Sequence, residues 1–133
     1  MRNLRKERGS IALEMALVMP VLMLIVLGLL QFGLWYHARQ VALGAAQEGA
    51  RVAAVEGGTI DAAKERTLSV FESGIGRLAE DSSVDASIDA EIVSVTIGGT
   101  LKGLLPIPGL SEFRLDSTAT SYRERFRPFD EEQ

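Results

Sequence analysis

Hydrophobic and polar residues follow three different rhythms along this chain. The first is an unbroken apolar run: from Met15 to His37 there is no Asp, Glu, Lys or Arg. Its 22 residues from Met15 to Tyr36 would rise about 33 Å as a helix, enough to cross a hydrocarbon core of roughly 30 Å. Trp35 and Tyr36 close the run, at the position where amphipathic rings favour a membrane interface. Pro20 and Gly28 fall inside it, and both residue types are common in membrane helices. Arg2, Arg5, Lys6 and Arg8 precede the run, and Arg39 alone follows it closely. This asymmetry predicts a cytoplasmic N-terminus, with the residues after about 37 outside the cytoplasm and a single pass through the cell membrane. A cleaved secretory signal starts in the same way, but its apolar part usually has only about 7–15 residues.

The second rhythm is helical. Residues 37–55 lack proline, and Ala38, Ala42, Ala45, Ala46, Gly49, Ala50 and Ala53 recur at three- and four-residue steps. Such a stripe lets another helix approach closely; an alanine-rich helix selected for propensity alone would show it too. Gly57-Gly58 ends the segment. A helix from Ser10 to Val55 would be roughly 69 Å long, with half of it projecting as a stalk. Thr59 is placed to cap a second helix, with Asp61 in its first turn. Leu68, Phe71, Ile75 and Leu78 then share a face, opposite Lys64, Glu65 and Glu72. Docking on its own domain is favoured over a bilayer surface, because the polar face is not basic.

The third rhythm has period two. Val84, Ala86 and Ile88 alternate with Asp85, Ser87 and Asp89, and Val93, Val95 and Ile97 alternate with Ser94 and Thr96. A third β-like run covers Phe113 to Tyr122. Gly98-Gly99 marks a bulge or bend. The segment Leu104-Leu-Pro-Ile-Pro-Gly-Leu110 is an apolar loop whose prolines bar it from an interior strand. Together these predict an α+β fold: a long N-terminal transmembrane helix continuing into an exterior stalk, then a short amphipathic helix and a small antiparallel sheet. The expected divisions are a basic leader (1–9), the membrane helix (10–37), its extension (38–56), an exterior α+β domain (59–123) and a charged tail (124–133).

Charge sharpens this division. The overall −4 is an average over unlike parts, because residues 1–8 carry four basic side chains against Glu7 while nine basic and sixteen acidic residues follow Arg39. Cysteine is absent, which excludes disulfides, thiol catalysis and cysteine-based metal sites. The single histidine, His37, leaves little to build a triad or a histidine metal site from. Asp81, Asp85, Asp89 and Glu91 are close in sequence but lack the calcium-loop pattern with its central glycine. No nucleophile elbow, P-loop or dinucleotide fingerprint occurs. No cofactor, metal, nucleic-acid partner or small-molecule substrate is therefore expected, and the chain does not read as an enzyme.

Glu14 stands at the head of the apolar run, after Ser10-Ile-Ala-Leu13. A carboxylate at the edge of a bilayer costs far less than one at its centre, so headgroup snorkelling accounts for it without a role. Its surroundings add more. Basic residues, then Gly9, then a carboxylate five residues on and a long apolar helix resemble the type IV prepilin processing motif. The segments Arg8-Gly-Ser-Ile-Ala-Leu-Glu-Met-Ala-Leu-Val-Met-Pro20, Gln31-Phe-Gly33 and Ala46-Gln-Glu-Gly-Ala-Arg51 are similar to the TadE-like family, pilin-like proteins of the Tad/Flp tight-adherence pilus system. The resemblance is close over roughly residues 5–55, and the exterior part carries no motif assignable to a partner. It implies a pseudopilin with Gly9 as the last leader residue, Ser10 as the new N-terminus and Glu14 available for charge pairing during assembly. Ala42, Ala46, Gly49, Ala50 and Ala53 would serve helix packing. The implied partners are a prepilin peptidase, other pilin-like subunits and Tad pilus platform proteins. Two other readings stand beside it: an unprocessed single-span anchor presenting a small domain to an envelope partner, and a membrane enzyme subunit contributing to a shared site.

Overall fold

The computed structural model describes residues 3–104 and 111–124, the side chains of residues 3–9 and Arg77 excepted. The apolar proline loop after Leu104 and the charged tail after Glu124 lie outside the described residues. The elements in chain order are α1 (Asn3–Ala54), α2 (Ile60–Ile75), a single 3₁₀ turn (Gly76–Leu78), β1 (Ala79–Ile88), β2 (Ile92–Lys102) and β3 (Glu112–Tyr122). The chain divides into two units, Met1–Leu34 and Trp35–Gln133. This is the expected α+β class, with a long apolar helix, a shorter second helix and a three-stranded antiparallel sheet.

In the first unit, every side chain from Ser10 to Val26 is exposed. Apolarity all round a helix is the mark of a segment that needs a non-aqueous environment. Fourteen large apolar side chains between Ile11 and Leu30 are exposed. At about 1.5–3 kcal/mol each, removing them from water is worth roughly 20–40 kcal/mol, more than the 5–15 kcal/mol that typically holds a domain folded. Among the described residues this is one helix long and apolar enough to cross a membrane, with a mean hydropathy of 2.5 over its best window. It fits a single-pass membrane protein.

The second unit has its own core. Ala38, Ala42, Ala45 and Ala46 of α1 pack with Phe71 and Ile75 of α2 and with Ile97, Leu101, Leu115 and Ala119 of the sheet. Farther along α1, Ala50, Ala53 and Ala54 pack with Ala63, Val93 and Val95. The part of α1 expected to continue as an exterior stalk forms one wall of this unit. Small side chains on α1 leave room that larger ones on α2 and β2 fill, as interior packing density requires.

α1 ends where Gly57 takes a left-handed φ of 83°, and the Gly58 amide donates to the Val55 carbonyl at 2.9 Å. Thr59 then caps α2, its side chain accepting from the Ala62 amide at 3.2 Å. The buried face of α2 is Ala63, Thr67, Phe71 and Ile75. The expected face shared only Phe71 and Ile75 with it; Leu68 is half-buried, and Leu78 lies beyond the helix and is exposed.

The sheet order is β1-β2-β3, antiparallel throughout. In β2, Val93, Val95, Ile97 and Leu101 turn inward, as the period-two pattern requires. Between Glu80↔Thr100 and Ser83↔Gly98 the register shifts, so that Asp81 and Ser82 oppose Gly99. The bulge therefore belongs to β1, with Asp81 at φ 52°, and the two glycines lie in the regular strand opposite it. Asp tolerates a left-handed backbone better than most residues.

Phe71 is 1% exposed at the junction of helices and sheet. Phe71→Ala should destabilise this unit by about 3–5 kcal/mol, whereas Ala at exposed Glu72 should stay within ~0.5 kcal/mol. Denaturant unfolding of the detergent-solubilised chain, followed by circular dichroism, measures both.

Candidate functional site

The residues singled out in the sequence fall into two sets. Gly9, Ser10 and Glu14 are all helical positions of α1. The side chains of Ser10 and Glu14 are exposed. Four residues apart on a helix, they share a face with an axial offset of about 6 Å. Apart from Ser10, the large side chains nearest Glu14 along the helix are apolar and also exposed: Ile11, Leu13, Met15, Leu17 and Val18. Among the described side chains from Ser10 to Tyr36, then, Glu14 is the one carboxylate on an apolar cylinder.

The second set is the small-residue stripe. Ala42, Ala46, Ala50 and Ala53 are each at most 1% exposed, and Gly49 is buried with them. The helix that approaches them closely is α2 of the same chain. A Cβ added at Gly49 would collide with Oγ1 of Thr67 and lie 2.9 Å from the Ala63 carbonyl oxygen. At Gly74 the relation reverses, because a Cβ there would run into the Val41 side chain. The contacts descend on α1 from 49 to 41 while they climb on α2 from 67 to 74, so the two helices are antiparallel. Thr67 completes the contact without leaving a buried donor free: its hydroxyl donates to the Ala63 carbonyl at 2.7 Å. Thr67 and Ala63 escaped the sequence reading because a polar and a tiny residue carry little hydrophobic signal. Their spacing of four and eight residues from Phe71 was the available clue.

The remaining surface is polar. On the outer face of the sheet, Asp85, Ser87, Ser94 and Thr96 line an open depression of about 310 Å³. Thr96 and Thr118 hydroxyls hydrogen-bond across β2 and β3 at 2.9 Å. Among the described residues, no three His, Asp or Glu side chains are arranged to hold a metal ion. The four acidic residues of the 81–91 segment are spread along β1 and the turn after it. Glu80 pairs with Lys102, and this hydrogen bond with its accompanying attraction raises the Lys102 ammonium above its ordinary value. The stabilising effect of a raised basic group is complete below that ordinary value and fades only as pH climbs past it, so neutral pH leaves the pair intact. Arg39 lies over the Trp35 ring, 5.6 Å from its centroid, a cation–π distance. His37 is exposed nearby.

One comparison with known proteins bears on these residues. Residues 9–51 match the family model of TadE-like proteins. The match begins at Gly9 and ends at Arg51, about a third of the chain, and it bears out the resemblance carried by Gly9, Glu14 and the Gln31-Phe-Gly33 and Ala46–Arg51 segments. No curated protein and no solved structure matches the chain. The TadE-like segment covers the membrane stretch and most of the α1 wall, and it stops short of α2 and the sheet. A TadE-like segment suggests a protein associated with the Tad pilus machinery.

Within that segment, Gly44 and Gly49 offer a matched pair. A Cβ at Gly44 meets nothing within 4 Å, so Gly44→Ala should stabilise α1 by about 0.5–1 kcal/mol. Gly49→Ala should destabilise it by about 1–3 kcal/mol through overpacking against Thr67. Thermal midpoints of the two variants should move in opposite directions.

Proposed function

We propose that this chain is a pseudopilin-like component of a Tad/Flp pilus assembly or secretion apparatus, cut after Gly9 by a prepilin peptidase. The N-terminus would face the cytoplasm, and the unit beginning at Trp35 would lie outside it. The observation that carries this reading is the interval from Gly9 to Glu14, inside the TadE-like match and at the head of a helix exposed on every side from Ser10 to Val26.

The physical logic follows the charges. Cutting at Gly9 removes Arg2, Arg5, Lys6 and Arg8 and leaves one ammonium on Ser10. When such helices bundle, the Glu14 carboxylate of one copy can neutralise the Ser10 ammonium of another. An unpaired charge in a low-dielectric bundle is strongly unfavourable, and a paired one is tolerable. Pairing at an offset of about 6 Å, one helical turn, also fixes the axial register between neighbours. On this reading the chain's role is assembly and not catalysis, and its partners are pilin-like helices and platform proteins of the apparatus.

N-terminal sequencing of the protein recovered from membranes tests the processing step. A start at Ser10 is expected, with Gly9→Leu leaving the precursor uncut. Glu14→Ala should still be cut yet give a marked loss of assembled complex. An intact Met1 in cells that contain the peptidase would overturn processing and favour the unprocessed anchor.

A further inference from the structure

The two ends of the second unit differ in charge, and the end where the chain arrives from the apolar run exposes large apolar side chains beside the Glu80–Lys102 pair. The antiparallel contacts fix the levels. Val41 of α1 meets Gly74 of α2. Trp35 is six residues before Val41, and Leu78 is four past Gly74, through the 3₁₀ turn. Trp35 therefore lies about 9 Å beyond that contact along α1, whereas α2 ends at Gly76, where φ turns to 62°, and Leu78 leads into β1 at the level of Leu101, which packs with Ala38 and Ile75. β1 starts directly after Leu78, with Ala79 paired to Leu101 and Leu101 paired to Phe113. Leu104 follows two residues after Lys102, just past the point where the Gly103 amide donates to the Ser111 carbonyl at 2.7 Å. Leu78 is 44% exposed, Leu104 51% and Tyr36 54%, so this end presents large apolar side chains beside Trp35.

The opposite end exposes Val55, Ile60, Ile92 and Tyr122 as well, but it is acidic. There the Arg123 amide donates to the Glu91 carbonyl and the Glu124 amide to that of Ala54, which brings Glu56, Asp89, Glu91 and Glu124 to one pole.

We propose that the Leu78–Leu104 end of this unit rests on the bilayer, inserting both side chains into the interface. This rests on the reading of α1 as membrane-spanning. A lipid surface is the occupant because the contact is continuous with the helix that leaves the bilayer at Trp35. On this placement Arg39, which lies over the Trp35 ring, reaches headgroup level, and the acidic pole is repelled by anionic lipid, which favours the same orientation. The surface fixes the unit at a second point, so that the helix is not its sole tether.

The chain has no cysteine, so single-cysteine labelling is direct. The full-length chain carrying Leu22→Cys, Leu78→Cys, Leu104→Cys or Ser87→Cys is labelled with an environment-sensitive fluorophore. It is reconstituted into phosphatidylcholine vesicles containing a minority of phosphatidylglycerol, with iodide on both sides. Labels at 78 and 104 should show several-fold weaker iodide quenching than the label at 87, together with quenching by lipids carrying a nitroxide near the headgroup. Iodide quenching at 78 and 104 equal to that at 87 would overturn the proposal, provided that the label at 22 is quenched by lipid nitroxides. Failure at 22 would overturn the membrane reading itself. Protection from iodide at 78 and 104 without lipid quenching would mean that protein covers this end, and would also overturn the proposal. Leu78→Glu should raise iodide access at a label on 104 several-fold, with circular dichroism confirming that the unit remains folded.

Discussion

The close approach of α1 to α2 at Gly49 is the contact on which the rest of the C-terminal unit depends. It requires a glycine on one helix and lets a buried threonine on the other satisfy itself against its own backbone. With the helices this near, α1 contributes little more than methyl groups to the core, and the volume is filled from Phe71, Ile75, Ile97 and Leu101. A bulkier α1 face would push α2 away and open the seam that the sheet now closes. Interiors tolerate such shifts poorly, because overpacking forces side chains off their preferred rotamers.

α1 also has to satisfy two environments. Up to about Leu30 it is apolar all round and exposed. Beyond Trp35 the apolar positions narrow to a stripe of small residues, while Arg39, Gln40, Gln47 and Arg51 keep to the solvent side. The change of pattern within a single helix is what allows one segment to be a membrane span and another to be a core element. The TadE-like match runs across both patterns and ends at Arg51. The partner elements that bury the second pattern come from outside the match.

Much of this was legible in the sequence because the signals were periodic or chemically specific. Thr59 as a cap, Gly57-Gly58 as a stop, and Val93, Val95 and Ile97 as an inward row were each readable from one mechanism. The stripe from Ala38 to Ala53 was readable as a close-packing face, but not its neighbour, since sequence spacing does not say whether the approaching helix is in the same chain. The length of β1 was hidden for a different reason. Ala79 to Ser83 has no alternating pattern, and pairing with Thr100 and Leu101 recruits it into the sheet across a bulge. The two glycines opposite that bulge pointed to the right level of the sheet and the wrong strand. Gly98 leaves space for the Asp116 carboxylate, whose oxygen would lie 2.8 Å from an added Cβ.

The energetics of the apolar stretch bear on what Glu14 can signify. Moving the exposed apolar side chains out of water is worth tens of kcal/mol, while a carboxylate near the edge of a bilayer costs a few at most. Glu14 is therefore tolerated by the membrane with or without a counter-charge, and its presence alone argues for nothing. The interval is what discriminates. A carboxylate displaced by two residues would cost the bilayer much the same, yet it would lie on another face of α1 from the Ser10 nitrogen, because only three- and four-residue steps bring helical positions together. The case for assembly thus rests on the interval as well as on the cost of an unpaired charge inside a bundle.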